Sequence, residues 1–262
     1  MSNEQSLEAW QLNRKSYWNQ REKRGWLLAV APTDWMNDLE GYLINIGCSR
    51  EQAKELVINV FSVIQNNFME QVILAVVQRW LHGLPDRIIQ DVTPRHIVDV
   101  GVGTGEFAVR IAGLISQRGY KYTGIDFAES MLAHANNRLV QAGLASGAIK
   151  ITEGLATNLP LENESVWLLT WGKFGEHLTD DSVWAKGLHE VKRVLEHGGF
   201  FLLYEPVRDF NERYKEQPRK SEGTFFRWQH EYDAALAPSV RVESHPHKFC
   251  NEVYIIALWQ KS

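Results

Sequence analysis

The sequence predicts an α/β fold, a doubly wound, mostly parallel sheet of seven strands behind an N-terminal helical extension. Three observations carry that expectation. Residues 1–94 show almost no strand pattern, residues from 95 onward alternate short apolar runs with helical stripes, and a glycine-rich turn closes the first of those runs. Repeated βα units of this length require parallel strands with helices packed on both faces.

In the leading segment, Trp35, Leu39, Tyr42, Leu43 and Ile46 fall at helical spacing over 34–46, and Gly47 is placed as the left-handed residue after the helix end. Ser49 and Gln52 form the Ser-x-x-Gln pattern in which side chains and backbone cap each other, opening a second helix. Its stripe runs through Ala53, Leu56, Val57, Val60, Phe61 and Ile64, and a third apolar stretch over 68–81 is stopped by Gly83 and Pro85. Residues 1–94 are therefore expected as a helical cap and 95–262 as the core domain.

In the core, the first strand is expected at 96–100, followed by a helix over 106–117 with Phe107, Ile111 and Leu114 on one face. A strand at 121–126, a helix over 129–142, and strands at 148–153 and 166–171 follow. The helix expected over 181–196 turns Trp184, Leu188, Val191 and Leu195 inward, and Gly198-Gly199 leads into a strand at 200–205. Beyond Pro206 come a charged stretch, a helix over 223–236, and two last strands at 240–245 and 252–259.

The chain's 262 residues, 44% hydrophobic and 23% charged, have the balance of an ordinary globular protein. A net charge of −4 offers no basic field for nucleic acid or an anionic membrane. Two cysteines, Cys48 and Cys250, make a disulfide scaffold a poor reading and fit a reducing compartment. The N-terminus is too polar for a secretory signal and no apolar run approaches a membrane span, so a cytoplasmic protein is expected. Ten tryptophans, four of them before residue 40, supply core and also candidate walls for an apolar or aromatic ligand.

The strongest chemical signal is Ile97-Val98-Asp99-Val100-Gly101-Val102-Gly103-Thr104-Gly105-Glu106, a hydrophobic strand running through a glycine turn into a helix. Glycines let a backbone turn sharply and approach a nucleotide-like ligand. The dinucleotide fingerprint would put its third glycine at position 106, where this chain has Glu106; the third glycine is Gly105. The second signal is Asp126 at the end of the second strand, placed to accept hydrogen bonds from both ribose hydroxyls of an adenosine, with Phe127 and Met131 able to pack on the adenine face.

These motifs resemble those of the class I S-adenosylmethionine (SAM)-dependent methyltransferases, in particular the small-molecule enzymes with a methyltransferase type 11/25-like core. The resemblance covers about residues 95–205 and implies a Rossmann-like sheet, SAM as cofactor and S-adenosylhomocysteine (SAH) as product. It places Asp99, Gly101, Val102, Gly103, Thr104 and Gly105 around the methionine and ribose part of the cofactor. Leu155 stands where the family usually has Asp, and Val166-Trp167 where Phe-Asp is common. Adenine recognition is then expected through backbone groups near Leu155 and Ala156. The stretch from Leu188 to Gly199, LHEVKRVLEHGG, matches the end of the family's core.

Residues 170–180 follow the fourth strand, and ligands of open α/β sheets bind outside the carboxyl ends of strands. The transferable methyl is expected to point here, with Trp171 beside the cofactor. His177 is the foremost candidate base, because an imidazole titrates near neutrality; Glu176, Glu205 and Tyr204 are weaker ones. A histidine here also serves simply to order the loop in relatives with dissimilar acceptors. Tyr17-Trp18 resembles the short aromatic lid of small-molecule methyltransferases, with Tyr17 over the cofactor, and Trp26 and Trp35 are candidates to face substrate. No metal-ligand spacing is present.

The expected reaction is transfer of the SAM methyl to an O, N or C atom of a small molecule, apolar or aromatic in part, a specialised metabolite among the candidates. Neither nucleic acid nor membrane is an expected partner, and a homodimer through the N-terminal helices stays open. The alternatives are a protein of this fold that does not transfer methyl, such as a cyclase or binding module, and an aminopropyl transferase, which typically needs acids around an amine, whereas the loop over 170–180 is not notably acidic.

Overall fold

The run HIVDV becomes a strand because both of its faces are covered: the last four of its five residues are buried, the mark of a central parallel strand. This is β1 (His96–Val100), and its partners are β2 (Lys121–Asp126) on one side and β4 (Val166–Gly172) on the other. β3 (Ile149–Glu153) adds outside β2, and β5 (Leu195–Pro206) outside β4, all in parallel. β7 (Glu252–Gln260) then pairs antiparallel with β5, and β6 (Val240–Phe249) antiparallel with β7. The order across the seven-stranded sheet is β3-β2-β1-β4-β5-β7-β6. The computed structural model describes residues 40–41, 43–54, 56, 95–144, 147–219, 223–249 and 252–262. The expectations for 68–81, Tyr17, Trp18, Trp26 and Trp35 lie outside these residues.

Alternation along the strands sends successive side chains to two cores. Val98, Leu169, Phe201 and Leu203 face α3 (Asp181–Val194) and α5 (Gln229–Leu236), whose Leu188, Val191 and Tyr232 are buried against them. Ile97, Leu168, Phe200 and Leu202 face α1 (Glu106–Arg118) on the other side. α2 (Glu129–Gln141) packs beside α1, where an ion pair joins its Arg138 to Glu106. Each fully buried aliphatic side chain contributes on the order of 1.5–3 kcal/mol, so the two faces outweigh any single surface pair.

Helix ends follow sequence chemistry. Asp180 caps α3, its carboxylate accepting the Ser182 and Val183 N–H at 2.8 and 3.1 Å. Gly119, with φ +64°, ends α1. In the leading segment the Ser49–Gln52 box is formed, with the Ser49 N–H donating to Gln52 Oε1 at 3.0 Å and the Gln52 N–H to Ser49 Oγ at 3.2 Å. Gly47 has φ +103°, and the N–H groups of Gly47 and Cys48 close onto the Ile44 and Leu43 carbonyls, as a glycine-ended helix requires.

Two expectations need correction. The helix over 181–196 stops at Val194, because Leu195 turns extended and pairs with Val166, so β5 begins five residues early and runs through Gly198-Gly199. The helix over 223–236 begins only at Gln229. Its first residues are held out of the helix by other partners: the Phe225 N–H donates to the Glu176 carbonyl at 2.7 Å and the Phe226 N–H to the Pro218 carbonyl at 2.8 Å. The charged stretch holds α4 (Glu212–Glu216), a single short helix.

Candidate active site

Register sets the place of the glycine turn. Val100 ends β1 opposite Ile125 of β2 and Trp171 of β4, so residues 101–105 leave the sheet at its carboxyl edge. Gly101 and Val102 both donate to the Ile125 carbonyl, at 2.8 and 3.0 Å. Gly101, Gly103 and Gly105 have φ of +77°, +53° and +75°, the left-handed region that suits glycine. The surroundings of the three differ. A Cβ on Gly105 would press on Ala135 of α2 at 3.2 Å, and one on Gly101 would overlap the Phe174 ring. At Gly103 it would meet, among the described residues, only the Gly101 carbonyl, at 3.8 Å. Gly105 thus lets two helices approach, Gly101 admits Phe174, and Gly103 borders open space.

Asp99 sits beneath this turn, 5% exposed. Tyr122 from β2 donates to its Oδ2 at 2.8 Å, and Thr170 from β4 donates to its Oδ1 at 2.6 Å. Burial pushes its carboxyl up to about 6, against the pull of those two hydroxyls. Tyr122 and Thr170 went unnoticed in the sequence, where they read only as strand residues.

Asp126, at the end of β2, accepts the Gly103 N–H on Oδ2 and the Ala128 N–H on Oδ1, both at 3.0 Å. Burial raises its pKa, and backbone donors from Ala128, Gly103 and Phe127 oppose the rise. A carboxylate has about four acceptor directions, and these amides use most of them. Asp126 therefore both fixes the glycine turn and caps the approach to α2, and it keeps fewer free lone pairs for two ribose hydroxyls than the sequence suggested.

The turn after β3 is built by α3. Glu190 accepts the Leu159 N–H at 2.7 Å, while Arg193 donates to the carbonyls of Leu159 and Leu161 at 3.0 and 2.8 Å. Their mutual bond, 2.7 Å, holds the Glu190 carboxyl below its usual range. The turn presents half-buried Leu155 and buried Ala156, and the Gly154 N–H donates to the Asp126 carbonyl at 3.0 Å. The signal for this clamp was in hand, since Glu190 and Arg193 belong to the LHEVKRVLEHGG stretch.

After β4, residues 175–177 form a short 3-10 turn. His177 Nδ1 lies 3.0 Å from the Gly223 carbonyl, and because a carbonyl only accepts, Nδ1 carries the proton. Its Nε2 is 3.7 Å from Glu176 Oε1. Glu176 and Glu205 are 7% and 1% exposed, so neither carboxyl lies open to a substrate.

Placement corrects several expectations. Trp171 does not turn towards the glycine loop: its indole lies in the core between Phe174 and Phe201, each 5.4 Å away centroid to centroid, above Gly187 of α3. Met131 is 2% exposed and offers no free face, whereas Phe127 is half-buried. Val102 is buried and Thr104 half-buried in the turn itself. Tyr204 is buried against Tyr254 at 5.4 Å. Among the described residues no cluster of three or more side chains suits a metal ion, and no helix is long and apolar enough to cross a membrane.

The residues fit SAM. The open face at Gly103 is a cradle that a side chain would fill, with the Asp126 carboxylate at its edge and the Leu155–Ala156 turn anchored through Gly154. Comparison with known proteins agrees. A demethylmenaquinone methyltransferase of Chlorobaculum tepidum is 33% identical over 111 residues, 42% of this chain and 40% of that one. The chain therefore matches well under two thirds of the length of this curated relative. Two solved structures share the fold. A SAM-dependent methyltransferase of Methanosarcina mazei has a TM-score of 0.51 at 17% identity, over 68% of this chain and 97% of that chain. The [4+2]-cyclase SpnF has a TM-score of 0.51 at 16% identity, over 67% of this chain and 81% of that chain. The family match takes in residues 49–219, with both the glycine turn and the acid that holds it, and the chain belongs to the ubiE/COQ5 methyltransferase family.

Proposed function

We propose that the chain is a SAM-dependent methyltransferase acting on an O, N or C atom of a small molecule, with residues 1–94 as a cap over the carboxyl edge of the sheet. The space that the described residues leave open beside Gly103, bounded by Asp126, is the observation that carries this reading. Bound there, SAM supplies an electrophilic methyl group. The protein's part is then chiefly alignment, since orientation lowers a barrier by about 7–11 kcal/mol whereas a general base adds roughly 10²–10⁴-fold. His177, tied to Gly223 and facing Glu176, is placed to order the loop after β4. The curated relatives are named for demethylmenaquinone, which makes a quinol the first acceptor class to try and agrees with an acceptor that is apolar or aromatic in part.

The test is transfer from methyl-labelled SAM to a quinol panel and to a metabolite extract. Label in an organic-soluble product is expected. SAH binding with no label transferred to any acceptor would instead favour a non-methylating protein of this fold, of which a cyclase is an example.

A further inference from the structure

Glu205 belongs to β5, where it pairs with Ile255 of β7, and it is almost wholly buried. Its Oε1 accepts the N–H groups of Phe174, at 3.2 Å, and of Gly175. Its Oε2 accepts the Tyr232 hydroxyl at 2.7 Å. Convergence of two successive amides on one oxygen follows from the left-handed φ of +56° at Lys173. It also needs a glycine, since a Cβ on Gly175 would lie 2.6 Å from Oε1. The residue so pinned, Phe174, places its ring where a Gly101 side chain would be, edge-on to Trp171.

We propose that Glu205 is a positioning residue for the cofactor: from β5 it seats Phe174 against Gly101 and so sets the shape of the glycine turn's first half. The proposal rests on the assignment of that turn to SAM. It gives a role to a carboxyl with no path to a substrate, and a reason why β5, which pairs with β4 and β7 and not with β1, carries an acid at its carboxyl end.

The charges around Glu205 define its working form. Glu176 faces it from the 3-10 turn, with His177 Nε2 3.7 Å from Glu176 Oε1. Arg227 faces it from the segment before α5 but is already bonded to Asp181 of α3 and to the Leu178 carbonyl. Tyr232 faces it from α5. Burial, then the nearby Glu176, push the Glu205 carboxyl up to about 8. Near neutrality it is protonated. In that form Oε1 can still accept both amides, and Oε2 and the Tyr232 oxygen, 2.7 Å apart, share one proton between them with either as donor. Ionisation puts a second negative charge beside Glu176 in a dry site and works against the seated loop. Glutamine reproduces the neutral form, its carbonyl accepting the amides and its amino group donating to Tyr232.

The test is SAH binding to the full chain by calorimetry, for wild type, Glu205→Gln, Glu205→Ala, Phe174→Ala and the double variant. The series runs from about pH 6.5 to about pH 9.5, across the titration range of the buried carboxyl. Glu205→Ala is expected to bind about tenfold more weakly near neutrality, and Glu205→Gln within about threefold of wild type. Wild type should weaken through about pH 8 while Glu205→Gln does not; the amino group of SAH titrates identically in both, so the difference isolates Glu205. If Glu205 acts through Phe174, removing both should cost no more than removing Phe174 alone. Near-wild-type binding by Glu205→Ala, equal alkaline limbs in wild type and Glu205→Gln, or additive losses in the double variant would each overturn the proposal. Should circular dichroism show Glu205→Ala unfolded, the two pH curves decide alone. A wild type that binds no SAH at any pH would sink the cofactor assignment and this role with it, an outcome distinct from those three.

Discussion

A missing side chain means three different things within five residues of this chain. Gly105 is a packing requirement, Gly101 a seat for Phe174, and Gly103 a border of open space. Spacing alone made them one motif, because a sequence records that a Cβ is absent and not what would have met it. The distinction is testable. Gly103→Ala should cost only the left-handed penalty, about 1–2 kcal/mol, yet weaken SAH binding by about tenfold or more. Gly101→Ala should cost more stability than Gly103→Ala in chemical denaturation, and adding Phe174→Ala should return part of the loss. Equal stability losses without rescue would mean that Phe174 is not what Gly101 accommodates. Asp99 and Asp126 were legible as the acids of the turn; the Tyr122 and Thr170 hydroxyls that hold Asp99 were not, since both come from neighbouring strands and meet it only through register.

Among elements, β1 and β2 were legible to the residue because each is a buried run bounded by a polar residue and a turn. The error at the end of α3 has a definite cause. Leu195 continues the helical stripe of Leu188 and Val191, and it is buried as that stripe predicts, but the partner that buries it is Val166 of β4. Periodicity cannot tell which neighbour fills a buried position. The aromatic run before α5 misled for a related reason: its backbone bonds go to Glu176 and Pro218, partners outside the run. That same run explains the 3-10 turn, because the bond from His177 to Gly223 and the bond from Phe225 to Glu176 lace the two segments together. His177→Ala should therefore lower kcat by less than about tenfold and raise KM for the acceptor, as loss of loop order would. A fall of about 10²-fold or more in kcat, with the loss of an ionisation from the pH profile, would instead make His177 the base.

At the scale of the whole molecule, three buried acids, Asp99, Asp126 and Glu205, tie stability to pH. The Asp99 carboxyl is raised from 3.8 to about 6 and the Glu205 carboxyl from 4.5 to about 8. Between the unfolded and folded values the folded chain holds protons that the unfolded chain has released, so stability falls as pH rises through that window and levels off above it. Asp180 and Glu190 act in the opposite sense. Their lowered values contribute stability above the ordinary carboxylate range, and it is lost as pH falls through the folded values. Maximum stability is expected in the ordinary carboxylate range, near about pH 4, and denaturation midpoints should decline from there to about pH 8. Glu205→Gln should lack the upper part of that decline. Parallel wild-type and variant curves would show that Glu205 is ionised throughout.

β7 lies between β5 and β6, although β6 precedes it in the chain. As the protein is made, β5 leaves the ribosome with an open edge that stays open until β6, the turn and β7 have all been synthesised. Trp259 of β7, its ring 5.8 Å from that of Phe201 and its ring N–H bonded to Asp233, closes the core under β5. The sheet can thus reach its full width only once β6 and β7 have both been made. While residues 207–260 are being made, β5 is a free edge that another strand can reach, until the hairpin slides in.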